Sequence, residues 1–130
     1  MEEKNIISAC CLLLNVAKAD EILENEEINN IKEILMDFFN LNKNQTETIL
    51  NQSIEIFEKS TDIFEFGRNL NNHFSYKDKI DFICCAYEVA FSDGNLHYLE
   101  EHGIKKIAMI LNVKHVDIIE AKKEIKKYLV

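Results

Sequence analysis

Carboxylate side chains recur at matched positions in two short stretches of the chain. Asp20 and Glu27 bound the sequence DEILENEE, and Asp93 and Glu100 bound the sequence DGNLHYLE. Carboxylate oxygens are the ligands that calcium, magnesium and manganese prefer in proteins. If the two stretches pack against each other, the four side chains would converge. The sequence therefore predicts a divalent-cation site formed by Asp20, Glu27, Asp93 and Glu100, and it does not distinguish the three metals.

The same pattern also has a mechanical explanation that needs no ligand. Each Asp can accept hydrogen bonds from backbone amides in an Asx turn. Each Glu would lie at the third position of the following helix, where a carboxylate caps free amides at the positive end of the helix dipole. However, Glu24 and His97 at the expected N-caps are poor capping residues. The first stretch also holds five carboxylates in eight residues, which favours a cation.

A repeat of 73 residues explains why the carboxylates match. Shifting the chain by this length aligns CLLLNVAKADEILENEEINNIKEI with CCAYEVAFSDGNLHYLEEHGIKKI. The shift places Asp20 on Asp93, Glu27 on Glu100 and Lys32 on Lys105. Each copy has the pattern of a helix, the motif D-x-x-L-x-x-x-E and a second helix. The repeat predicts two related helical hairpins.

Apolar residues at intervals of three or four predict seven helices along the chain. These patterns cover roughly 6–19, 28–40, 49–57, 63–70, 75–92, 98–111 and 116–129. Three glycines and no proline leave few turn formers for β-hairpins. We predict an all-α fold, a compact seven-helix bundle-like single domain over residues 1–130 with an internal pseudo-twofold repeat of helical hairpins.

Local signals predict how some of these helices begin and which faces they bury. Ser60 or Thr61 is expected to cap the fourth helix, and Ser75 followed by Asp78 resembles a capping box for the fifth. The inward set expected for the seventh helix is Val116, Ile119, Ile125 and Leu129.

The charge balance argues against some classes of partner. The formal net charge of -8 repels nucleic acid and anionic lipid, which leaves cations and basic protein surfaces as better partners. No apolar run approaches the roughly 18 residues of a membrane span, so no direct membrane insertion is expected. The first residues are acidic, unlike a signal peptide. We expect a cytoplasmic protein.

Cysteine and histidine offer weaker evidence for chemistry. The vicinal pairs Cys10-Cys11 and Cys84-Cys85 lie inside apolar runs, which is typical of buried reduced thiols. Among the histidines, His97 is the candidate for an accessory ligand beside the carboxylates. No P-loop, dinucleotide fingerprint or H-E-x-x-H motif occurs. We therefore expect a protein that is not an enzyme.

The repeated motif resembles that of a known family. The stretches LLLNVAKAD and HFSYKDKIDFICCAYEVAFSDGNLHYLEE, with the seven-helix layout, are similar to the TerB-like family. This family comprises bacterial tellurite-resistance TerB proteins and the related N-terminal domain of DjlA co-chaperones. The stretch VAFSDGNLHYLEE resembles the family's A-x-x-D-G-x-L-x-x-x-E box. The first copy departs from the box, because Glu21 stands where glycine is usual.

The resemblance implies a function as well as a fold. It implies an all-α domain with an acidic cation-binding surface, a role in metal or tellurite stress, and protein partners in a membrane-associated complex. Matching motif to motif carries the metal site to Asp20, Glu27, Asp93 and Glu100. The expectation is a non-catalytic adaptor that binds a divalent cation and that could form a homodimer. The alternative is a protein-interaction module of the co-chaperone type, in which the carboxylates serve only as helix caps.

Overall fold

Seven α-helices make up the described part of the chain. The computed structural model describes residues 2–19, 25–60, 62–92, 94 and 96–128. The described residues contain no strand, so the all-α prediction is confirmed. The helices are α1 (Glu3–Ala17), α2 (Asn25–Phe39), α3 (Lys43–Lys59), α4 (Phe64–Asn71), α5 (Tyr76–Ala90), α6 (Tyr98–Ile110) and α7 (His115–Lys127).

Helix α1 is the centre of the fold. It packs against α2, α3, α4, α5 and α6. Its sequence EKNIISACCLLLNVA is apolar on most sides after the first turn, and the run from Ala9 to Leu14 is fully buried. A helix that is apolar all round requires neighbours all round, because each exposed apolar side chain would forgo its burial free energy.

The remaining contacts divide the fold into two halves that repeat one pattern. The first half is α1–α3 and the second half is α5–α7. Helix α1 packs against α2 and α3, and α5 packs in the same way against α6 and α7. Between the halves, α1 contacts α6 and α2 contacts α5, which are equivalent pairs under the repeat. Among the described helices, α4 has no counterpart in the second half, and it packs against α1 and α6.

The ends of the first helix in each half have the same hydrogen bonds. The amide of Lys18 donates to the carbonyl of Leu14 at 2.9 Å, and the amide of Phe91 donates to the carbonyl of Tyr87 at 2.9 Å. These two bonds are equivalent under the 73-residue shift. The duplicated sequence therefore produces duplicated backbone geometry up to the start of each corner.

The second helix of each half also ends in the same way. Asn40 and Asn112 have φ of 55° and 60°, in the left-handed region that asparagine tolerates better than most residues. Beyond them, the amide of Leu41 donates to Met36 at 3.1 Å and the amide of Val113 donates to Ala108 at 2.9 Å. These are the six-to-one bonds of Schellman motifs, and they turn the chain into α3 and α7.

The predicted capping residues are right for α5, and Ser60 is wrong as a cap for α4. Ser75 and Asp78 form the expected capping box, with the amide of Asp78 donating to Ser75 Oγ at 3.1 Å. Ser60 instead ends α3, and Thr61 lies outside the described residues. At the start of α4 the carboxylate of Asp62 accepts from the amide of Phe64 at 2.9 Å. An ionised acceptor at this end also meets the helix dipole favourably.

The inward face predicted for α7 is partly wrong. Ile125 is buried as predicted, but Val116 is 61% exposed and Ile119 is 40% exposed. Ile118 and Ala121 take their places. The seventh helix packs mainly on α5, so only the narrow stripe that faces α5 is buried. Leu129 lies outside the described residues.

Among the helices of the described ranges, none combines the length and apolar character needed to cross a membrane.

Candidate functional site

The two repeated motifs form the corners that join α1 to α2 and α5 to α6. We call residues 18–27 the first corner and residues 91–100 the second corner. Glu27 is the third residue of α2, and Glu100 is the third residue of α6. Both side chains are buried, with exposed fractions of 6% and 1%. The two glutamates therefore occupy equivalent positions in structure as well as in sequence.

Burial of these carboxylates requires compensation. An ionised carboxylate taken out of water costs several kcal/mol or more unless hydrogen bonds, an opposite charge or a metal ion offset the loss. Glu27 and Glu100 each have an interaction partner in the structure. The first turn of a helix also supplies free amides and the positive end of the dipole. The position is thus the one that helix capping requires.

The described flanks of the two corners lie at the same end of the molecule. On one side, Asn15 and Lys18 at the end of α1 share a cleft with His102 and Gly103 of α6. A Cβ atom placed on Gly103 would lie 3.7 Å from Nδ2 of Asn15. The end of the helix that precedes the first corner therefore touches the helix that follows the second corner.

The opposite side shows the equivalent contact. Asn30 near the start of α2 shares a cleft with Glu88, Phe91 and Ser92 at the end of α5. The 73-residue shift places Asn15 on Glu88 and Asn30 on Gly103, so the two contacts are equivalent under the repeat. This reciprocity brings the described flanks of both corners together.

The predicted four-carboxylate site falls partly outside the described residues. Asp20 and Asp93 are not described, so the convergence of these residues on Glu27 and Glu100 stays a prediction. Within the described ranges, no group of three or more His, Cys, Asp or Glu side chains has the geometry to hold a metal ion. The described pair, Glu27 and Glu100, supplies at most part of a ligand set.

Cationic side chains line the cleft between α1 and α6. The Nζ atoms of Lys18 and Lys106 each lie 5.9 Å from an aromatic ring centroid, that of Phe57 and Phe64 respectively. Both lysines border this cleft. The corner region therefore contains positive charge of its own, which can offset part of the carboxylate charge without a metal.

His97 is the N-cap residue of α6, and its side chain makes no capping hydrogen bond. It does have a partner in the structure. Its role as an accessory ligand stays a prediction, since its neighbours Asp93 and Asn95 lie outside the described residues.

The cysteines have the properties of structural thiols. Cys10 and Cys11 are buried as predicted, whereas Cys84 and Cys85 are only partly buried. Burial raises the pKa of Cys10, Cys11 and Cys85 to about 12 and that of Cys84 to about 11. The thiolate is the nucleophilic form, so these thiols are unreactive near neutral pH.

An acidic cluster on α2 and α5 was not predicted from the sequence. Burial, and then the charges of Asp37 and Glu33, raise the pKa of Glu88. Glu88 lies more than fifty positions from the other two residues along the chain, and only the packing of α2 on α5 brings them together. The 73-residue shift places Glu88 on Asn15, so the repeat gave no signal of an acidic residue there.

Comparison with models of protein families matches residues 6–123 to the family described as tellurite resistance protein TerB. No curated protein and no solved structure matches the chain.

Proposed function

The chain belongs to the TerB family, and from this premise we propose that it is a non-catalytic domain that binds a divalent cation and acts as an adaptor in metal or tellurite stress. The family match covers nearly the whole chain and supports a tellurite-resistance-like helical domain. The cation and the adaptor role go beyond that match, and the corner geometry supports the cation.

One observation carries the cation proposal. The described flanks of the two corners touch, and each corner ends in a glutamate that is buried at the same position of a helix. Asp20 and Asp93 precede Glu27 and Glu100 by seven residues in both copies. A cation bound by all four carboxylates would relieve the charge that the acidic first corner concentrates.

Other proteins are the proposed partners of the adaptor. Membership of the family is compatible with partners in a membrane-associated stress complex and with a second copy of the chain as a partner. A cytoplasmic location is part of the same proposal. That the protein is not an enzyme is part of the same proposal; burial raises the pKa of the four cysteines, which disfavours their nucleophilic thiolate form.

Calorimetric titration with calcium, magnesium and manganese tests the cation proposal. We expect the parent chain to bind one of these ions and the double variant Asp20→Asn, Asp93→Asn to lose that binding. The matched control is Glu55→Gln, Glu58→Gln, which removes the same charge from the exposed face of α3. Binding that survives in the Asp20, Asp93 variant would reject the proposed site.

A second candidate function is a protein-interaction module whose carboxylates only cap helices. The third-residue position of Glu27 and Glu100 favours it, because this is where a capping box places Glu or Gln. A Glu100→Gln variant separates the two functions. If Glu100 is only a helix cap, glutamine replaces it without changing the thermal midpoint of the protein. If Glu100 is a metal ligand, the variant binds the cation more weakly. If the parent binds none of the three ions, the interaction module is the better account.

A further inference from the structure

A groove between α6 and α7 concentrates positive charge in this acidic protein. It has a volume of about 400 Å³. Lys105 of α6 and Lys122, Lys123 and Lys126 of α7 line it, and Tyr87 of α5 contributes to its lining. We call this surface the basic groove. The net charge of -8 means that carboxylates outnumber lysines and arginines over the whole chain. Four lysines around one groove therefore call for a physical explanation.

The equivalent place in the first half is closed. There α2 packs directly against α3, and Lys32 Nζ lies 2.8 Å from Glu47 Oε1 of α3. Lys105 is the repeat counterpart of Lys32. Among the described helices, α6 and α7 do not pack together in the way that α2 and α3 do. The basic groove therefore lies between α6 and α7, where the close packing of α2 against α3 in the first half is not repeated.

In the described part of the chain, most lysines of the basic groove do not form an ion pair like the one between Lys32 and Glu47 in the first half. Within the described residues, no ion pair involves Lys105, Lys123 or Lys126. Only Lys122 is paired, with its Nζ atom 2.5 Å from Glu101 Oε2 across the groove. Like charges around one groove repel each other, and an anionic partner would replace that repulsion with attraction.

The shape of the groove favours an elongated partner over a single small anion. Its α7 wall extends from His115 to Lys126, which is roughly 16 Å at the helical rise of about 1.5 Å per residue. An extended segment of about five residues spans that length at roughly 3.3 Å each. The lining contains no arginine, whose planar fork would favour one phosphate or carboxylate held by two parallel bonds.

The groove also offers an apolar contact beside the charge. Ile119 lines it and is 40% exposed, while Ile118 and Tyr87 beneath are buried. A concave surface with an exposed isoleucine suits a protruding side chain of a partner better than it suits a flat bilayer. Charge, length and apolar contact thus describe one kind of ligand.

We propose that the basic groove binds an acidic linear segment of a partner protein, in which carboxylates are interleaved with apolar side chains. The carboxylates pair with Lys105, Lys123 and Lys126, and one apolar side chain packs on Ile119. This inference rests on the adaptor role proposed above and gives the chemical class of its partner. It does not depend on the cation.

Fluorescence anisotropy with a labelled peptide of about six residues, alternating glutamate and leucine, tests the groove. The test variant is Lys105→Gln, Lys123→Gln, Lys126→Gln in the full chain. The matched control is Lys43→Gln, Lys77→Gln, Lys127→Gln, which removes the same charge from exposed lysines outside the groove. We expect the test variant to bind roughly tenfold more weakly or worse, and the control to stay within about twofold. Equal loss in both variants would overturn the proposal.

Two further measurements distinguish other ligands. Ile119→Ser should weaken the glutamate–leucine peptide more than a peptide of glutamate alone, and an equal effect on both would contradict the apolar contact. Vesicles with anionic phosphatidylserine should not bind through these lysines. Lysine-dependent vesicle binding without peptide binding would overturn the proposal in favour of a lipid surface.

The result separates from that of the cation test. Peptide binding is measured with calcium and again with the chelator EDTA, and we expect equal affinity in both. Failure of the peptide to bind would leave the cation titration of the corners unchanged. Failure of the corners to bind a cation would in turn leave the peptide measurement valid.

Discussion

The two halves of the molecule share one arrangement but differ in how their first helices are covered. Helix α1 is enclosed because α4 adds a layer that α5 does not have. Under the repeat, fully buried Leu12 of α1 corresponds to partly buried Cys85 of α5. The turns and helix contacts that match between the two halves thus lie at the interface between them. The repeat pair Leu12 and Cys85, in contrast, has diverged in size and in burial.

Truncation at equivalent positions gives the largest expected difference between the halves. Leu12→Ala removes a fully buried side chain and leaves a cavity, which costs about 2–5 kcal/mol of unfolding free energy. Cys85→Ala removes a smaller and partly exposed group, so we expect a loss below about 1 kcal/mol. Urea unfolding followed by circular dichroism measures both. Equal losses would show that α5 is as enclosed as α1.

The contact of α4 with α6 gives the next largest effect. A Cβ atom on Gly67 would lie 2.2 Å from Cγ2 of Ile110, close to the α6 backbone, so Gly67→Ala forces the helices apart. We expect a loss of about 1–3 kcal/mol by overpacking.

Gly103→Ala is the matched control for Gly67. The nearest atom to a Cβ at this position, Asn15 Nδ2, would be 3.7 Å away, which is an ordinary contact. Alanine in a helix interior is then favoured over glycine by up to about 1 kcal/mol. Opposite shifts in the thermal midpoint are expected. A neutral Gly67→Ala would contradict the close approach of α4 to α6.

The fold was largely predictable because helix periodicity and the repeat are local properties of the sequence. The capping box at Ser75 could be read from four adjacent residues, and the inward face of α6 from Ile104 and Ile107. The face of α7 was mispredicted because Val116 and Ile119 suit an inward stripe as well as Ile118 does. Only the position of α5 decides among them, and that position is tertiary information.

The positions of Glu27 and Glu100 were predictable from the sequence, but their electrostatic surroundings were not. The equivalence of Glu27 and Glu100 follows from the repeat, and their placement at the third residue of a helix was predicted. The approach of Lys18 and Lys106 to the corners depends on how α1 crosses α6. The groove around Lys105 depends on the separation of α6 from α7, which no spacing in the sequence records.

The repeat pair Lys32 and Lys105 gives a smaller test of how the halves differ. Lys32→Gln breaks the ion pair with Glu47 and should lower the unfolding free energy by about 0.2–1 kcal/mol. Lys105→Gln removes a charge that faces other lysines, so we expect no loss or a slight gain. Because salt screens both effects, the two variants should converge in 1 M sodium chloride, where the Debye length is about 3 Å. Equal losses at low salt would show that Lys105 is paired as Lys32 is.

The smallest expected effect concerns the acidic cluster around Glu88. Burial and the charges of Asp37 and Glu33 raise its pKa, so the fold favours the protonated form. The stabilising contribution is therefore present below the unfolded pKa and is lost as pH rises through the folded pKa. At pH 7 we expect Glu88→Gln to gain only a few tenths of a kcal/mol, because Glu88 is only partly buried and solvent screens its carboxylate. The gain should vanish below about pH 4, where Glu88 is neutral. Unfolding at both pH values, with the exposed Glu120→Gln as control, measures it, and a stabilisation that persists in acid would assign the effect to something other than charge.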